Sequence, residues 1–330
     1  MKLIQLGVTG TYVSALGLGG LSFGRETPED EAARIVGAYL DAGGNLIDTA
    51  DIYGRGRSEE IIGQALRRRR DEVVLMSKAR FRLGPHPNDA GSSRRHLITA
   101  LEGSLRRLGT DRLDVWMLHA WDPHTGLPET LETLNSAVQA GKVRYLGASI
   151  FAGWQLAAAL GVAAQAGGEP FTVASPEYSL VTRGVERDVL PLCAAAGLAV
   201  LPWSPLAGGI LAGRYRTAAD RPRSRRADAR WNEASAQVVD AVRAVAARLG
   251  RTPAEVALAW LRGRPSVVAP IIGVRTLEQL DAQLAAADLT LSEADSADLD
   301  AASAIRLGYP HDVDPESDDA PADLGAPWRE

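Results

Sequence analysis

The sequence predicts an α/β chain folded as a closed (β/α)8 TIM barrel, with an N-terminal β-hairpin, extra helices and a C-terminal tail. Two observations carry that reading. Short apolar runs of strand type alternate with helical periodicity along almost the whole chain, and eight such alternations point to a closed barrel more than to an open doubly wound sheet. In addition, three ionisable residues each end a separate apolar run: Asp48 after Asn45-Leu-Ile, Lys78 after Val73-Val-Leu-Met-Ser, and His119 after Val115-Trp-Met-Leu. Those runs lie about thirty and forty residues apart, the spacing a strand, a helix and another strand need in a parallel unit. Residues at the carboxyl ends of barrel strands converge on one face, where barrel chemistry is found.

Residues 2–13 (KLIQLGVTGTYV) read as two short strands around a glycine turn, a hairpin suited to plug one barrel end. Strands then follow at about 14–20, 44–48, 72–78, 112–119, 143–148, 171–175, 198–203 and 266–272. The helices between them fall at about 28–42, 58–69, 93–108, 128–140, 153–166 and 184–196. Two more at 235–249 and 253–262 precede the eighth strand, and a helix at 276–288 follows it. Ser58 before Glu59 and Glu60, and Thr252 before Pro253, mark helix starts. A last helix at about 292–304 has no strand after it. Beyond it His311 to Leu324 is acidic, with Asp312, Asp314, Glu316, Asp318 and Asp319, and reads as part of a mobile tail from about 305 to 330 or as a loop laid across the barrel. With no linker or internal repeat, residues 1–330 are expected to form one domain, since α/β barrels often exceed the usual domain length.

Composition narrows the function classes. Hydrophobic residues make up 46% of the 330, enough for a large core, yet no apolar run approaches the ~20 residues of a membrane span. The start, MKLIQLGVTG, does not resemble a secretory signal, and the single Cys193 can make no internal disulfide, so a cytoplasmic protein is expected. A net charge of −5 argues against nucleic acid as a partner. Of two arginine clusters, Arg67 to Arg70 ends a predicted helix and reads as solvated. Arg221, Arg223, Arg225, Arg226 and Arg230 lie in a long loop that could face an anionic cofactor. Only Lys2, Lys78 and Lys142 are lysines, so keeping lysine at 78 suggests a need for an ammonium there. The five histidines show no metal-ligand grouping, and no metal is expected.

Tyr53 follows Asp48 by five residues, which completes a chemical group. A phenol with a reference pKa near ~10 is a weak acid at neutral pH unless its anion is stabilised, and a nearby lysine supplies that stabilisation. Asp48 would hold Lys78 charged and oriented, while His119 could polarise the reacting oxygen or share the proton. Each residue alone has an ordinary structural reading; their joint placement at successive strand ends does not. Such a group can protonate a developing alkoxide, and it lacks only a hydride.

At these residues the chain resembles the aldo-keto reductases, over nearly its whole length. NLIDTADIYGRGRSEEIIGQAL is similar to the family's first signature, with Asp48 and Tyr53 at the catalytic aspartate and tyrosine, and Lys78 and His119 fall at its lysine and histidine. The resemblance implies a barrel in which NADPH gives hydride to a small-molecule aldehyde or ketone while Tyr53 protonates its oxygen. In LPWSPLAGGILAGRY, Trp203 falls where a ring stacks on nicotinamide, and Ser204, Leu206, Gly208 and Arg214 fall along the pyrophosphate segment. In PIIGVRTLEQL, Gly273, Arg275 and Gln279 match the adenosine-phosphate site, with Gln283 where asparagine is frequent. A guanidinium at 275 implies NADPH over NADH, because it can grip a 2′-phosphate bidentately. Two positions depart from the pattern. The usual Ser-Asn pair reads Ser149-Ile150, and the usual glutamine reads Ser175, so two amide side chains that hold the carboxamide are missing. Phe23, Phe81, Trp121 and Ile150 are placed by the strand ends at an apolar substrate mouth. Two other uses of the barrel stay open: a lyase, dehydratase or isomerase moving protons through the same group, and a cofactor-sensing regulatory subunit.

Overall fold

The barrel strands take apolar residues on both faces because each is covered twice, by the barrel interior and by a helix. The computed structural model describes residues 1–213, 215 and 228–313. A hairpin of β1 (Leu3–Gln5) and β2 (Tyr12–Ser14) precedes the barrel. The barrel strands are β3 (Gly17–Gly19), β4 (Leu46–Asp48), β5 (Val74–Ala79), β6 (Leu113–Leu118), β7 (Val143–Ser149), β8 (Phe171–Ser175), β9 (Ala199–Val200) and β10 (Ile271–Gly273). They form one parallel sheet in the order β10-β3-β4-β5-β6-β7-β8-β9. β10 and the residues leading into it close the barrel: Val268 N donates to Val200 O at 2.9 Å and Ile271 N to Pro202 O at 2.8 Å.

Strand alternation sorts the side chains into two layers. Leu46, Val74, Met76, Val115, Met117, Val173 and Leu201 fill the interior, joined by Leu6 and Val13 of the hairpin segment. The alternate residues Ile47, Leu75, Trp116 and Leu118 face the helices. The hairpin therefore plugs the amino end of the barrel, where these strands begin. Val8 N donates to Gly197 O at 3.2 Å, and Gly7, at φ 58°, sits so close that a Cβ would meet Gly197 O at 2.7 Å. Only glycine satisfies both conditions.

Helices cover the outside: α1 (Glu29–Asp41), α2 (Arg57–Leu66), α3 (Arg94–Leu108), α4 (Leu127–Gln139), α5 (Gly153–Ala166) and α6 (Val189–Ala196), then α7 (Glu233–Leu249), α8 (Pro253–Arg262), α9 (Leu277–Leu284) and α10 (Glu293–Ala302). Thr252 caps α8 as expected, accepting from Glu255 N at 3.2 Å while Glu255 Oε2 accepts from Thr252 N at 2.8 Å. Ser58 does not cap α2. The helix begins one residue earlier, and Ser58 Oγ donates to Gly20 O at 2.8 Å, tying the helix to the loop after β3. The helix expected at 184–196 is a 3-10 turn, Gly184–Glu186, followed by α6, and the one expected at 276–288 ends at Leu284 in a 3-10 turn. The seventh and eighth strands are shorter than expected because Pro202 and Pro270 each lack a ladder donor. Arg70 is not the solvated residue expected. It donates to Val73 O at 2.9 Å, Arg112 O at 2.9 Å and Asp114 Oδ2 at 2.8 Å, clamping the starts of β5 and β6 together. The acidic residues Asp314, Glu316, Asp318 and Asp319 lie outside the described residues. Among the described residues no helix is long and apolar enough to cross a membrane.

Candidate functional site

β4, β5 and β6 end side by side, and each end delivers one polar side chain into an apolar setting. Asp48, Lys78 and His119 are 4%, 2% and 7% exposed. Lys78 Nζ ion-pairs with Asp48 Oδ1 and donates to Thr49 O at 2.9 Å and to the Tyr53 hydroxyl at 3.3 Å. An ammonium has three protons, and these three acceptors fix all of them in direction. Tyr53 reaches Lys78 because the chain turns sharply after β4: Tyr53 N donates to Ala50 O at 3.1 Å at the start of a 3-10 turn, Tyr53–Gly56. His119 is set in register by its own N–H, which donates to Ala79 O at 3.0 Å. Its ring meets Tyr53 edge-on at 5.7 Å and Phe81 at 4.7 Å between centroids.

Burial disfavours the Lys78 ammonium, but the Asp48 carboxylate and the Tyr53 oxygen beside it outweigh that cost and hold its pKa above the usual lysine value. Burial also pushes the Asp48 carboxyl up, with Lys78 pulling the other way. Lys78 is therefore charged throughout the neutral range. Because it donates to the tyrosine oxygen, the phenolic proton is not spent in that bond.

Behind this group lies a second ionic cluster that the sequence reading missed. Glu59 of α2 is fully buried and accepts from Ser77 Oγ at 2.6 Å and Arg107 Nε at 2.6 Å. Asp51 is 1% exposed, and no side chain hydrogen-bonds either of its carboxyl oxygens. Burial, then the charge of Glu59, raise its pKa to about 8 against the pull of Arg107 and Lys78. Ser77 held the available signal: it lies on the outward face of a strand covered by helices, where a polar residue needs a partner.

Further round the rim, Ser149 Oγ donates to Ser175 O at 2.8 Å and Ser175 Oγ to Leu201 O at 2.7 Å. Each hydroxyl has spent its only proton on backbone and can now only accept. Ile150 is 46% exposed at φ 35°, a left-handed conformation in a β-branched residue. Trp203 is half-buried and paired to the segment after β8 through its N–H, which donates to Pro176 O at 3.0 Å. Beyond it Ser204, Ala207, Gly208 and Gly209 all have positive φ, from 50° to 98°, with Leu206 half-buried among them. Gly273 and Arg275 are exposed at the end of β10. Arg275 N donates to Gln279 Oε1 at 2.9 Å and Gln283 Nε2 to Gly273 O at 3.2 Å, while Gln283 Oε1 is buried without a partner. Arg214, Arg221, Arg223, Arg225 and Arg226 lie outside the described residues, and Arg230 ion-pairs with Glu177.

Of the residues placed at the mouth, Phe81 packs on His119, and Trp121 meets Phe151 at 5.5 Å and Trp154 at 5.6 Å. Phe23 is not brought to this group. Its chain turns back at once, Phe23 N donating to Gly20 O at 3.1 Å, and the ring is fully buried in the layer between barrel and helices. Cys193 is buried, and burial pushes its thiol up to about 12, which makes it an inert packing residue.

A parallel barrel with a buried aspartate, lysine and histidine beside a tyrosine at its carboxyl face defines a class of barrel oxidoreductases. The sequence matches the family described as Aldo/keto reductase family over residues 15–304, and the chain belongs to that family. It is similar to a Bacillus subtilis protein named uncharacterized oxidoreductase YrpG, 38% identical over 306 residues, 89% of this chain and 93% of that one. It is also similar to an Arabidopsis thaliana protein named probable voltage-gated potassium channel subunit beta, 35% identical over 88% of this chain and 92% of that one. A third relative, aryl-alcohol dehydrogenase [NADP(+)] of Phanerodontia chrysosporium, is 32% identical over 92% of this chain and 86% of that one.

Proposed function

We propose that the protein reduces an aldehyde or ketone to the alcohol with NADPH, Tyr53 delivering the proton. The observation that carries this reading is the placement of Lys78 between Asp48 and the Tyr53 oxygen, 3.3 Å from the latter. When bound, the cofactor supplies the hydride. The chain supplies the proton path: Tyr53 protonates the carbonyl oxygen as charge builds on it, and Lys78 stabilises the phenolate left behind. Asp48 keeps Lys78 charged and aimed. His119, packed between Tyr53 and Phe81, is placed to hydrogen-bond the same substrate oxygen.

The residues fit NADPH best at its adenosine end. Arg275 would take the 2′-phosphate, and the orphan acceptor Gln283 Oε1 suits an amino group such as that of adenine. The glycine-containing turn from Ser204 to Gly209 would bring its backbone against a pyrophosphate, and Trp203 would offer a ring for stacking. At the nicotinamide end, Ser149 and Ser175 can accept from a carboxamide NH2 but cannot donate to its oxygen. Titrating the protein with NADPH and NADH while following tryptophan fluorescence, then following NADPH oxidation with aldehydes and ketones, tests the reading. Tyr53→Phe is expected to lower kcat at least ~100-fold and leave NADPH affinity within about twofold. Undiminished turnover in that variant sinks the role of Tyr53.

The committed serine hydroxyls and Ile150 favour a second reading, in which the same four residues move protons in a lyase, dehydratase or isomerase. Turnover with no nicotinamide present would select it. Tight NADPH binding without turnover would instead select a cofactor-sensing role.

A further inference from the structure

The mouth of the candidate site is chemically lopsided. On the β6 and β7 side it is aromatic, with Trp121, Phe151 and Trp154 edge to face and Ile150 exposed beside them. On the β4 and β5 side it is cationic. Arg55 follows Tyr53 by two residues, and Arg80 and Arg82 follow Lys78 by two and four. Arg55 donates to Leu83 O at 3.3 Å and Arg82 to His86 O at 2.9 Å, backbone carbonyls that neutralise no charge.

Arg80 carries five features that packing alone does not require. By strand alternation it shares the inward parity of Met76 and Lys78, at the rim just beyond the end of β5. Its φ is 143°, strained for a residue with a Cβ, and the strain is held by Gly91 N donating to Arg80 O at 2.9 Å. Its Nε is buried without a partner. Its nearest carboxylate, Asp122, is 4.0 Å away and already accepts from Ser92 N at 2.7 Å, Thr125 Oγ1 at 2.8 Å and His124 N at 3.1 Å. The guanidinium stands 5.6 Å from the centroid of Phe81, the ring that packs on His119. A strained, half-buried cation with a spare donor beside the reacting group suits an anion that arrives with the substrate.

We infer that Arg80 is a specificity-determining residue that binds a carboxylate on the substrate, so that the preferred substrates are aromatic or apolar carbonyl compounds bearing a carboxylate. The inference rests on the reductase reading above. The planar fork of a guanidinium matches a carboxylate bidentately, and the aromatic side accepts the apolar body.

The test compares 4-carboxybenzaldehyde with benzaldehyde as substrates, using NADPH and the full chain. The wild type is expected to favour the carboxylated aldehyde at least ~10-fold in kcat/KM, the range of one charge-assisted hydrogen bond. Arg80→Gln should bring the ratio to within about twofold, and Arg80→Lys should keep part of it. No preference in the wild type, or an unchanged ratio in Arg80→Gln, overturns the inference even where both rates fall together. If neither aldehyde is reduced, the reductase reading fails and binding still decides the anion site, with terephthalate as the probe and tryptophan fluorescence as the readout. Terephthalate binding at least ~10-fold weaker in Arg80→Gln supports the site; absent or equal binding overturns it.

Discussion

Ile150 shows how a single residue can be at odds with its backbone. A β-branched side chain at φ 35° costs of order 1–3 kcal/mol, and at 46% exposure the ring-side packing returns little of it. Ile150→Asn places a residue that tolerates the left-handed region there, and is expected to stabilise the fold by about 1 kcal/mol in urea or thermal melts. An unchanged or lowered midpoint would locate the strain elsewhere. Asp51 poses the complementary problem, a buried carboxyl faced by Glu59, Arg107 and the Lys78–Asp48 pair, with its pKa raised to about 8. The unfolded chain loses this proton near pH ~4 and the folded chain only near 8, so the folded state binds more protons between those values and wild-type stability falls as pH rises through them. Asp51→Asn removes the ionisation. Its stabilisation is expected to grow from pH 4 to pH 8, reaching a few kcal/mol, and to level off above; a pH-independent difference in melting would show that Asp51 ionises in the fold as readily as in water.

Elements were legible where one force decides them and obscure where two compete. The regular strands β5 to β8 and the helices α3, α4 and α5 follow from apolar periodicity alone and lie within a few residues of the expected spans. Thr252 before Pro253 marks a helix start in sequence, and Thr252 caps that helix, with Glu255 closing the box. Ser58 before Glu59 and Glu60 also marks a helix start, but a tertiary acceptor, Gly20 O, claims its hydroxyl, and no local pattern reveals such a rival. The strands near Pro202 and Pro270 read as continuous because their apolar character persists after the hydrogen-bond ladder stops. Asp48, Lys78 and His119 were visible as strand-end residues. Asp51, Glu59 and Arg107 were not, since buried charges brought together from a loop and two helices have no signature in spacing. At this scale the hairpin offers a clean test, because Gly7 lies at the barrel end opposite the candidate site. Gly7→Ala, whose Cβ would meet Gly197 O at 2.7 Å and Ala199 N at 2.9 Å, is expected to cost ~1–3 kcal/mol in thermal or urea melts while kcat of the folded protein holds. A large loss of kcat at temperatures where the variant stays folded would mean that the plug shapes the site.

For the whole molecule, the layered interior explains how a polar group survives in an apolar barrel. The amino half is filled by aliphatic side chains and sealed by the hairpin, so Asp48 and Lys78 meet water only from the carboxyl face. The barrel closes where β10 pairs with β3, joining Ile271 to Gly17 across most of the chain. On a ribosome, then, every residue of the Asp48, Tyr53, Lys78 and His119 group emerges long before the strand that completes the ring. Until residues 266–273 are made, β3 and β9 are bare edges able to pair with a neighbouring chain, and such long-range closure is slow. Between making the chemical group and enclosing it, the nascent chain is open to such edge pairing.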